Sequence, residues 1–217
     1  MPKRKSYLVI GLGRFGTSLA KALVEEGQEV MGVDANQVVA QRLSSYLTHT
    51  VAMEAVNEEA LASLGVGNFD AVIVATGGNF EASILLTLML KRLGAGFVVA
   101  NAHTDQQADV LKRVGADKVV QPERDAGLRL AHQLISPNVL DYLPLAPGMS
   151  IAEIPAPDFM AGRTLAELDL RRKHKITIVL IENGDRFLIS PDPDDHINPG
   201  DRLVVVGRDE DIARLRG

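Results

Sequence analysis

A glycine-rich turn directly after a short apolar run constrains the fold of this chain more than any other feature. Residues 7–10 are β-forming and lead into Gly11, Gly13 and Gly16, which have G-x-G-x-x-G spacing. In such a turn the first glycine allows a sharp bend, the second lets the backbone approach a pyrophosphate, and the third lets the next helix pack closely on the strand. The spacing therefore predicts a phosphate-binding turn at a helix N-terminus, although a tight βα turn without a ligand would need the same glycines.

An acidic residue at the end of the second predicted strand indicates what else the turn would bind. A helical pattern follows the turn and ends at Gly27, and a strand over residues 29–33 then leads to Asp34. A carboxylate about twenty residues beyond such a turn can bind both hydroxyls of a ribose, and its charge repels a 2′-phosphate. We therefore predict a site for an adenine nucleotide other than NADP. The alternative is an aspartate that only ends the strand.

The alternation of short apolar runs and helical patterns continues along the chain. Further strands are predicted over residues 50–53, 71–75, 97–101 and 118–120, with helices over residues 37–46, 58–64, 80–93 and 105–114. The run over residues 71–75 is wholly apolar, as expected for a buried parallel strand. Six β units with short connections predict an α/β fold, a Rossmann-type doubly wound parallel sheet with its ligand at the carboxyl ends of the strands.

These strand ends supply the remaining predicted nucleotide-binding residues. A second glycine-containing loop, Thr76-Gly77-Gly78-Asn79, follows the fourth strand. The full predicted set is Gly11, Leu12, Gly13, Arg14, Phe15, Gly16, Asp34, Met53, Glu54, Thr76, Gly77, Asn79 and Asn101.

A second, smaller lobe is predicted after a helix over residues 123–135. Prolines are frequent beyond that helix, which places the first lobe at residues 1–137, a linker at residues 138–147 and an α+β lobe at residues 148–217. Strands over residues 176–181, 187–190 and 202–206 and a helix over residues 164–168 are predicted in the second lobe, with a hairpin turn at Asn183-Gly184. So small a lobe exposes much of its surface, and pairing with a second copy would cover part of it.

Composition excludes several classes of site. The chain of 217 residues carries 23 basic and 28 acidic side chains, a net charge of −5, which argues against nucleic-acid binding. It has no cysteine, so disulfides, thiolate metal sites and a cysteine nucleophile are excluded. The absence of a long apolar stretch and of a signal-like segment predicts a cytoplasmic protein.

The chain resembles the RCK (regulator of K+ conductance) family, in particular the cytosolic gating subunits of bacterial Ktr and Trk potassium transport systems. Arg14 within the glycine turn, combined with the segment Pro-Glu-Arg-Asp-Ala-Gly at residues 122–127, is more specific than the glycine motif alone. The likeness covers nearly the whole length. It is carried by residues 9–16, 33–34, 64–65, 74–75, 114–117 and 122–127 in the first lobe and 162–168, 190–193, 199–201 and 203–207 in the second.

The resemblance implies a regulatory protein, not an enzyme. It implies dimers that assemble into an octameric or tetrameric-type ring and pull on a separate membrane-embedded K+ transporter subunit, at the inner face of the cell membrane. The implied ligands are ATP or ADP, with NAD or NADH as the alternative. The candidate dimer helix over residues 123–135 has an apolar face without an obvious partner, formed by Leu128, Leu130, Ala131, Leu134 and Ile135.

Individual residue roles are also implied by the resemblance. Arg14 would reach the phosphates of a nucleotide in the neighbouring subunit, although a surface salt bridge is the alternative. Glu54 stands where the family often has an Asp or Asn that helps to hold the adenine, and the alternative is a solvent-facing loop glutamate. Glu123 would help to hold a divalent cation beside the phosphates of ATP. In the second lobe, Arg171, Thr177 and Pro193 match residues that bind cyclic di-AMP in related proteins, and the alternative for the basic run over residues 171–175 is a solvated face.

An NAD-dependent oxidoreductase is the second hypothesis, because its cofactor would bind the same Rossmann unit. Such an enzyme needs a substrate domain and a proton donor beside the nicotinamide. The second lobe is small and has no recognisable acid/base constellation, so the sequence favours the regulatory protein.

Overall fold

The computed structural model describes residues 4–135 and 141–215. Its contacts divide the chain into two compact units, Met1–Arg124 and Asp125–Gly217. Across the described residues, no helix combines the length and the apolar character that a membrane span requires.

The first unit contains a six-stranded parallel sheet, which confirms the predicted fold class. Its strands are β1 Ser6–Ile10, β2 Glu29–Asp34, β3 His49–Ala52, β4 Ala71–Val74, β5 Val98–Asn101 and β6 Lys118–Val120. The helices are α1 Arg14–Glu25, α2 Gln37–Leu43, α3 Glu58–Ser63, α4 Phe80–Arg92, α5 Asp105–Val114 and α6 Pro122–Ile135, the last of which extends into the second unit. The strand order β3-β2-β1-β4-β5-β6 reverses direction between β1 and β4, which is where a doubly wound sheet opens a crevice for a ligand.

The sheet is buried on both faces because its central strands β1 and β4 are apolar over residues 8–10 and 71–74. In β1, Leu8 and Ile10 belong to one apolar cluster while Val9 belongs to another. All four residues of β4 are buried, with Ile73 in the cluster that contains Val9. Successive side chains of a strand point to opposite faces, so helices must cover both sides of this sheet.

Several predicted helix boundaries follow from local hydrogen bonds. Asn36 begins α2, and its side chain accepts hydrogen bonds from Val38 N and Val39 N. The helix ends at Leu43, earlier than the predicted residue 46, and Ser44 N donates instead to Gln41 O. Gly27, predicted to end the first helix, has a φ of 76°, which glycine adopts without strain.

The second unit contains a five-stranded antiparallel sheet with the order β11-β10-β13-β8-β7. These strands are β7 Asp141–Ala146, β8 Met149–Pro155, β10 Thr177–Asn183, β11 Arg186–Ile189 and β13 Arg202–Arg208, and a short pair is formed by β9 Arg163–Thr164 and β12 His196–Ile197. Its helices are α7 Leu165–Leu168, α8 Leu170–Lys173 and α9 Asp209–Ala213. The predicted hairpin at Asn183-Gly184 is present, since Asn183 pairs with Arg186.

Within the predicted linker over residues 138–147, residues 141–146 form strand β7. Prolines at positions 144 and 147 suggested a loop, but β7 is an edge strand, where a missing N–H costs no ladder hydrogen bond. The pairing with β8 shifts register between Pro144 and Ala146. Residues 138–140 lie outside the described residues, and the lobe boundaries stay a prediction.

An exposed aspartate directly before β6 links this strand to β5 and α4. The Asp117 carboxylate accepts a hydrogen bond from Val98 N at 2.7 Å and forms an ion pair with Lys91 Nζ at 3.0 Å. The Val98 N–H lowers the pKa of Asp117 from its ordinary value of 3.8; partial burial opposes this, and Lys91 adds to it. An aspartate at this position, directly after Gly115-Ala116, supplies the acceptor for Val98 N and the negative charge for Lys91.

Replacing Asp117 with alanine should lower the free energy of unfolding near neutral pH by about 1–3 kcal/mol, because Val98 N–H loses a charged acceptor. A group with a depressed folded pKa stabilises the fold above its unfolded pKa, and this contribution is lost as the pH falls through the folded pKa. The difference between parent and variant should therefore shrink below pH 3.8. Urea unfolding at several pH values measures it, with Asp109→Ala as the control, since Asp109 is exposed on α5. A difference that stays constant with pH would contradict the assignment.

Candidate functional site

The glycine turn is held by backbone hydrogen bonds and by a very close approach of α1 to β1. Gly11 has a φ of 93°, and its N–H donates to Val33 O at 2.8 Å. A Cβ on Gly16 would lie 1.9 Å from Gly11 O, so no side chain fits there. A Cβ on Gly13 would meet nothing within 4 Å. Gly11 and Gly16 are thus required by the protein itself, whereas the space at Gly13 is open for a ligand.

Asp34 joins the glycine turn to the loop before α2. Its Oδ2 accepts a hydrogen bond from Leu12 N at 2.8 Å, and its Oδ1 accepts one from Asn36 N at 2.8 Å. An ionised carboxylate offers about four acceptor positions, so two remain for ribose hydroxyls. Asn36 was not among the predicted site residues; its signal in the sequence is an asparagine two residues after Asp34 at the start of a helical pattern.

The three variable residues of the turn have different surroundings. Leu12 is buried, and Phe15 is partly buried and packs against the apolar core. Arg14 is the first residue of α1, it is exposed, and it has no ion-pair partner among the described residues. Its guanidinium is therefore available to a ligand or to another chain. The alternative role for Arg14, a surface salt bridge, is therefore absent among the described residues.

The end of β3 contributes less than predicted from the sequence. Met53 N donates to Asp34 O at 3.0 Å, and the Met53 side chain packs partly against the core. The Glu54 side chain is exposed and makes no hydrogen bond within the described residues. The turn residues, Asp34 and Met53 are therefore gathered at one edge, and a contact from Glu54 to adenine stays a prediction.

A second turn lies beside the first, between β4 and α4. Asn79 N donates to Thr76 O at 2.7 Å, and the Asn79 side chain accepts a hydrogen bond from Ala82 N as the N-cap of α4. The Thr76 hydroxyl lies 3.0 Å from the Ser83 hydroxyl. Gly77 lies against Asn101, which ends the neighbouring strand β5. The structure thus brings Thr76, Gly77, Asn79 and Asn101 together.

Glu123 stands beside a histidine rather than within a set of metal ligands. Its Oε2 lies 3.7 Å from His103 Nδ1, and the next residue, Arg124, pairs with Asp105. No group of three or more His, Asp or Glu side chains able to hold a metal ion occurs in the described segments. A divalent cation at Glu123 would therefore need further ligands, such as phosphate oxygens, and that role stays a prediction.

The second unit has a partly apolar cleft of about 420 Å³ that includes two of the three residues predicted to bind cyclic di-AMP. The cleft is lined by Leu165, Ala166, Asp169, Leu170, Arg171, Ile176, Ile178, Pro191 and Pro193. Thr177 is half-buried on β10 and is not among the lining residues. The loop that carries Pro193 is fixed to α7, since Ala166 N donates to Pro193 O at 2.8 Å.

Two protein-family models together match most of the chain. The TrkA-N domain model matches residues 7–122, and the TrkA-C domain model matches residues 149–217. The chain is 45% identical to Ktr system potassium uptake protein C of Bacillus subtilis (strain 168), over 98% of this chain and 96% of that protein.

Solved structures with the same fold include two of GsuK. The crystal structure of the GsuK RCK domain matches 97% of this chain with a TM-score of 0.56 and 29% identity. The GsuK channel bound to NAD matches 99% of it with a TM-score of 0.57 and 29% identity. The chain spans only 45% and 38% of the length of these two GsuK chains.

Two glycine variants separate fold from binding. Gly16→Ala should lower stability by about 3 kcal/mol or more, because its Cβ would collide with Gly11 O. Gly13→Ala should change stability by less than about 1 kcal/mol yet weaken ATP, ADP and NADH binding, because its methyl group fills the open space. Thermal unfolding and calorimetric titration measure the two effects. Full affinity in Gly13→Ala would show that no pyrophosphate approaches this residue.

Asp34→Ala should weaken the binding of ATP, ADP and NADH by about 2–4 kcal/mol, because two charge-assisted hydrogen bonds to the ribose are lost. The same variant should lose its preference for NADH over NADPH, since the charge that repels the 2′-phosphate is gone. Asp34→Asn is the matched variant, which keeps the shape and one acceptor oxygen for the Leu12 or Asn36 N–H. If Asp34→Ala binds all three nucleotides as tightly as the parent, the ribose assignment fails.

Proposed function

Because this chain belongs to the RCK family, with a TrkA-N and a TrkA-C domain, we propose that it is a regulatory subunit that senses a nucleotide and controls a separate membrane K+ transporter. The observation that carries this proposal is the open glycine turn with Asp34 beside it. The proposal is also supported by a relative that matches almost the full length of the chain and is named for Ktr potassium uptake. The protein would work on the cytoplasmic face of the membrane through that partner.

The proposed ligand is an adenine nucleotide, with ATP and ADP as the first pair and NAD and NADH as the second. The free N–H groups at the start of α1 and the space at Gly13 would hold the phosphates, and Asp34 would hold the ribose. Arg14 is exposed and unpaired in the described part of the chain, so its guanidinium can reach β- and γ-phosphate oxygens. Glu123 would share a divalent cation with those phosphates.

The proposed assembly is a dimer of this chain that closes into a ring. Leu128, Leu130 and Leu134 of α6 are exposed, Leu134 to 74%. In the second unit, Phe187 and Ile189 of the edge strand β11 are also exposed, Ile189 to 72%. Apolar surface of this kind marks protein contacts. An octameric or tetrameric-type ring would convert nucleotide contacts into a displacement at the membrane subunit.

Cyclic di-AMP is the proposed second ligand, in the cleft that contains Arg171 and Pro193. The cleft combines aliphatic walls, which can cover a purine, with one exposed guanidinium for a phosphate. Thr177 would contribute only after a local change, because it does not line the cleft.

The oxidoreductase hypothesis gains no support from the second unit. An NAD-dependent enzyme would need a proton donor beside the nicotinamide. The family models and the relative named for potassium uptake extend over both units, which favours regulation throughout the chain.

The test is K+ flux through the cognate membrane subunit in proteoliposomes, with and without this chain, in ATP and in ADP. Light scattering of the same samples should show an assembly larger than a dimer in at least one nucleotide. Arg14→Ala should reduce the difference in affinity between ATP and ADP more than it reduces ADP affinity, because ADP lacks the γ-phosphate.

Arg42→Ala is the matched control, since Arg42 is also exposed on a helix of the first unit and pairs with no acid in the described residues. It should leave the ATP-to-ADP ratio and the flux unchanged. A chain that stays monomeric in both nucleotides, or a flux indifferent to its presence, would overturn the proposed function.

A further inference from the structure

Asn101 is a buried polar residue whose side chain has an unused acceptor. It is 5% exposed, and its Oδ1 has no hydrogen-bond partner. Burying an amide oxygen without a partner costs free energy, and native proteins pair nearly all such groups. A buried amide oxygen without a protein partner at the end of a sheet strand can therefore accept a hydrogen bond from a ligand.

The position of Asn101 in the sheet indicates which part of a ligand it would meet. It ends β5, on the β4 side of the point where the strand order reverses, whereas Asp34 ends β2 on the other side. A dinucleotide lies across such a reversal, with one nucleotide on each side. If Asp34 holds the ribose of the adenosine half, the second half of a dinucleotide extends toward Asn101.

The glycine-containing turn between β4 and α4 lies against the Asn101 amide. A Cβ on Gly77 would lie 2.6 Å from Asn101 Nδ2 and 2.7 Å from Oδ1, so a larger residue at this position would push the Asn101 side chain aside. Neither Gly77 N nor Gly78 N donates a hydrogen bond to another described residue, and the turn is fixed only at Thr76 and Asn79. A small shift at the two glycines would uncover the amide without breaking a hydrogen bond.

We propose that Asn101 is the specificity-determining residue for a nicotinamide dinucleotide, and that it recognises the nicotinamide carboxamide. A carboxamide is complementary to another carboxamide, because each offers one acceptor oxygen and an NH2 donor. A terminal phosphate instead calls for a cation such as Arg14, which lies at the first turn. The proposal rests on nucleotide binding at the glycine turn and names the second half of that ligand.

The test compares NAD+ with ADP-ribose, which has the same adenosine and pyrophosphate but no nicotinamide. The parent should bind NAD+ roughly tenfold more tightly than ADP-ribose, the effect of one or two added hydrogen bonds. In Asn101→Ala and in the near-isosteric Asn101→Leu this preference should disappear, while ADP-ribose affinity stays within about twofold of the parent. Thermal unfolding of Asn101→Leu without ligand should show equal or higher stability, because the unpaired amide is gone.

The 3-acetylpyridine analogue of NAD+ isolates the oxygen of Asn101, since this analogue has a carbonyl but no NH2 donor. It should bind the parent more weakly than NAD+, and the two should bind Asn101→Ala equally. An unchanged NAD+ to ADP-ribose ratio in both variants would overturn the proposal. An equal loss of NAD+ and ADP-ribose would also overturn it, because it would mean that Asn101 only supports the turn. Failure of the parent to bind ADP-ribose at all would instead count against the nucleotide site itself.

Discussion

The contact between the first turn of α1 and the carbonyl of Gly11 is the constraint on which the candidate site depends. Because a Cβ at Gly16 would lie 1.9 Å from that oxygen, helix and strand approach more closely than any other residue allows. This approach fixes the N-terminus of α1 at the reversal of the strand order, where its free N–H groups open outward. Asp34 then binds Leu12 N, so the second strand holds the turn in place before any ligand is present.

Burial on both faces of the sheet determines where chemistry can occur in the first unit. The central strands are apolar over residues 8–10 and 71–74, and polar groups lie where the strands end, at Asp34, Thr76, Asn79 and Asn101. Most of these groups already serve the fold: Asn79 caps α4, and Asp34 accepts two N–H groups. A ligand therefore meets a largely preorganised edge, and two groups on it have no partner among the described residues, the Arg14 guanidinium at the first turn and the Asn101 amide oxygen beside the second.

The repeating apolar pattern allowed the six strands, their helices and the glycine turn to be predicted from sequence, since each of these depends on local spacing. Strand β7 could not be predicted, because its prolines resemble those of a loop and only pairing with β8 makes them acceptable on an edge. The pairing of Glu123 with His103 joins residues twenty positions apart and has no local signal. The exclusion of Thr177 from the cleft depends on how β10 is turned, which its residue type does not reveal.

The start of α6 contacts the edge of the sheet that carries the candidate site. In its first turn, Arg124 forms an ion pair with Asp105, the first residue of α5, and Glu123 lies beside His103. His103 is only two residues from Asn101, which ends β5. Ion pairs between exposed groups contribute little stability, so they can exchange when a charged ligand arrives. A ligand shifts a conformational equilibrium only through its different affinities for the two states. A cation at Glu123 would compete with a protonated His103 for that carboxylate, and this competition would supply such a difference in the first turn of α6.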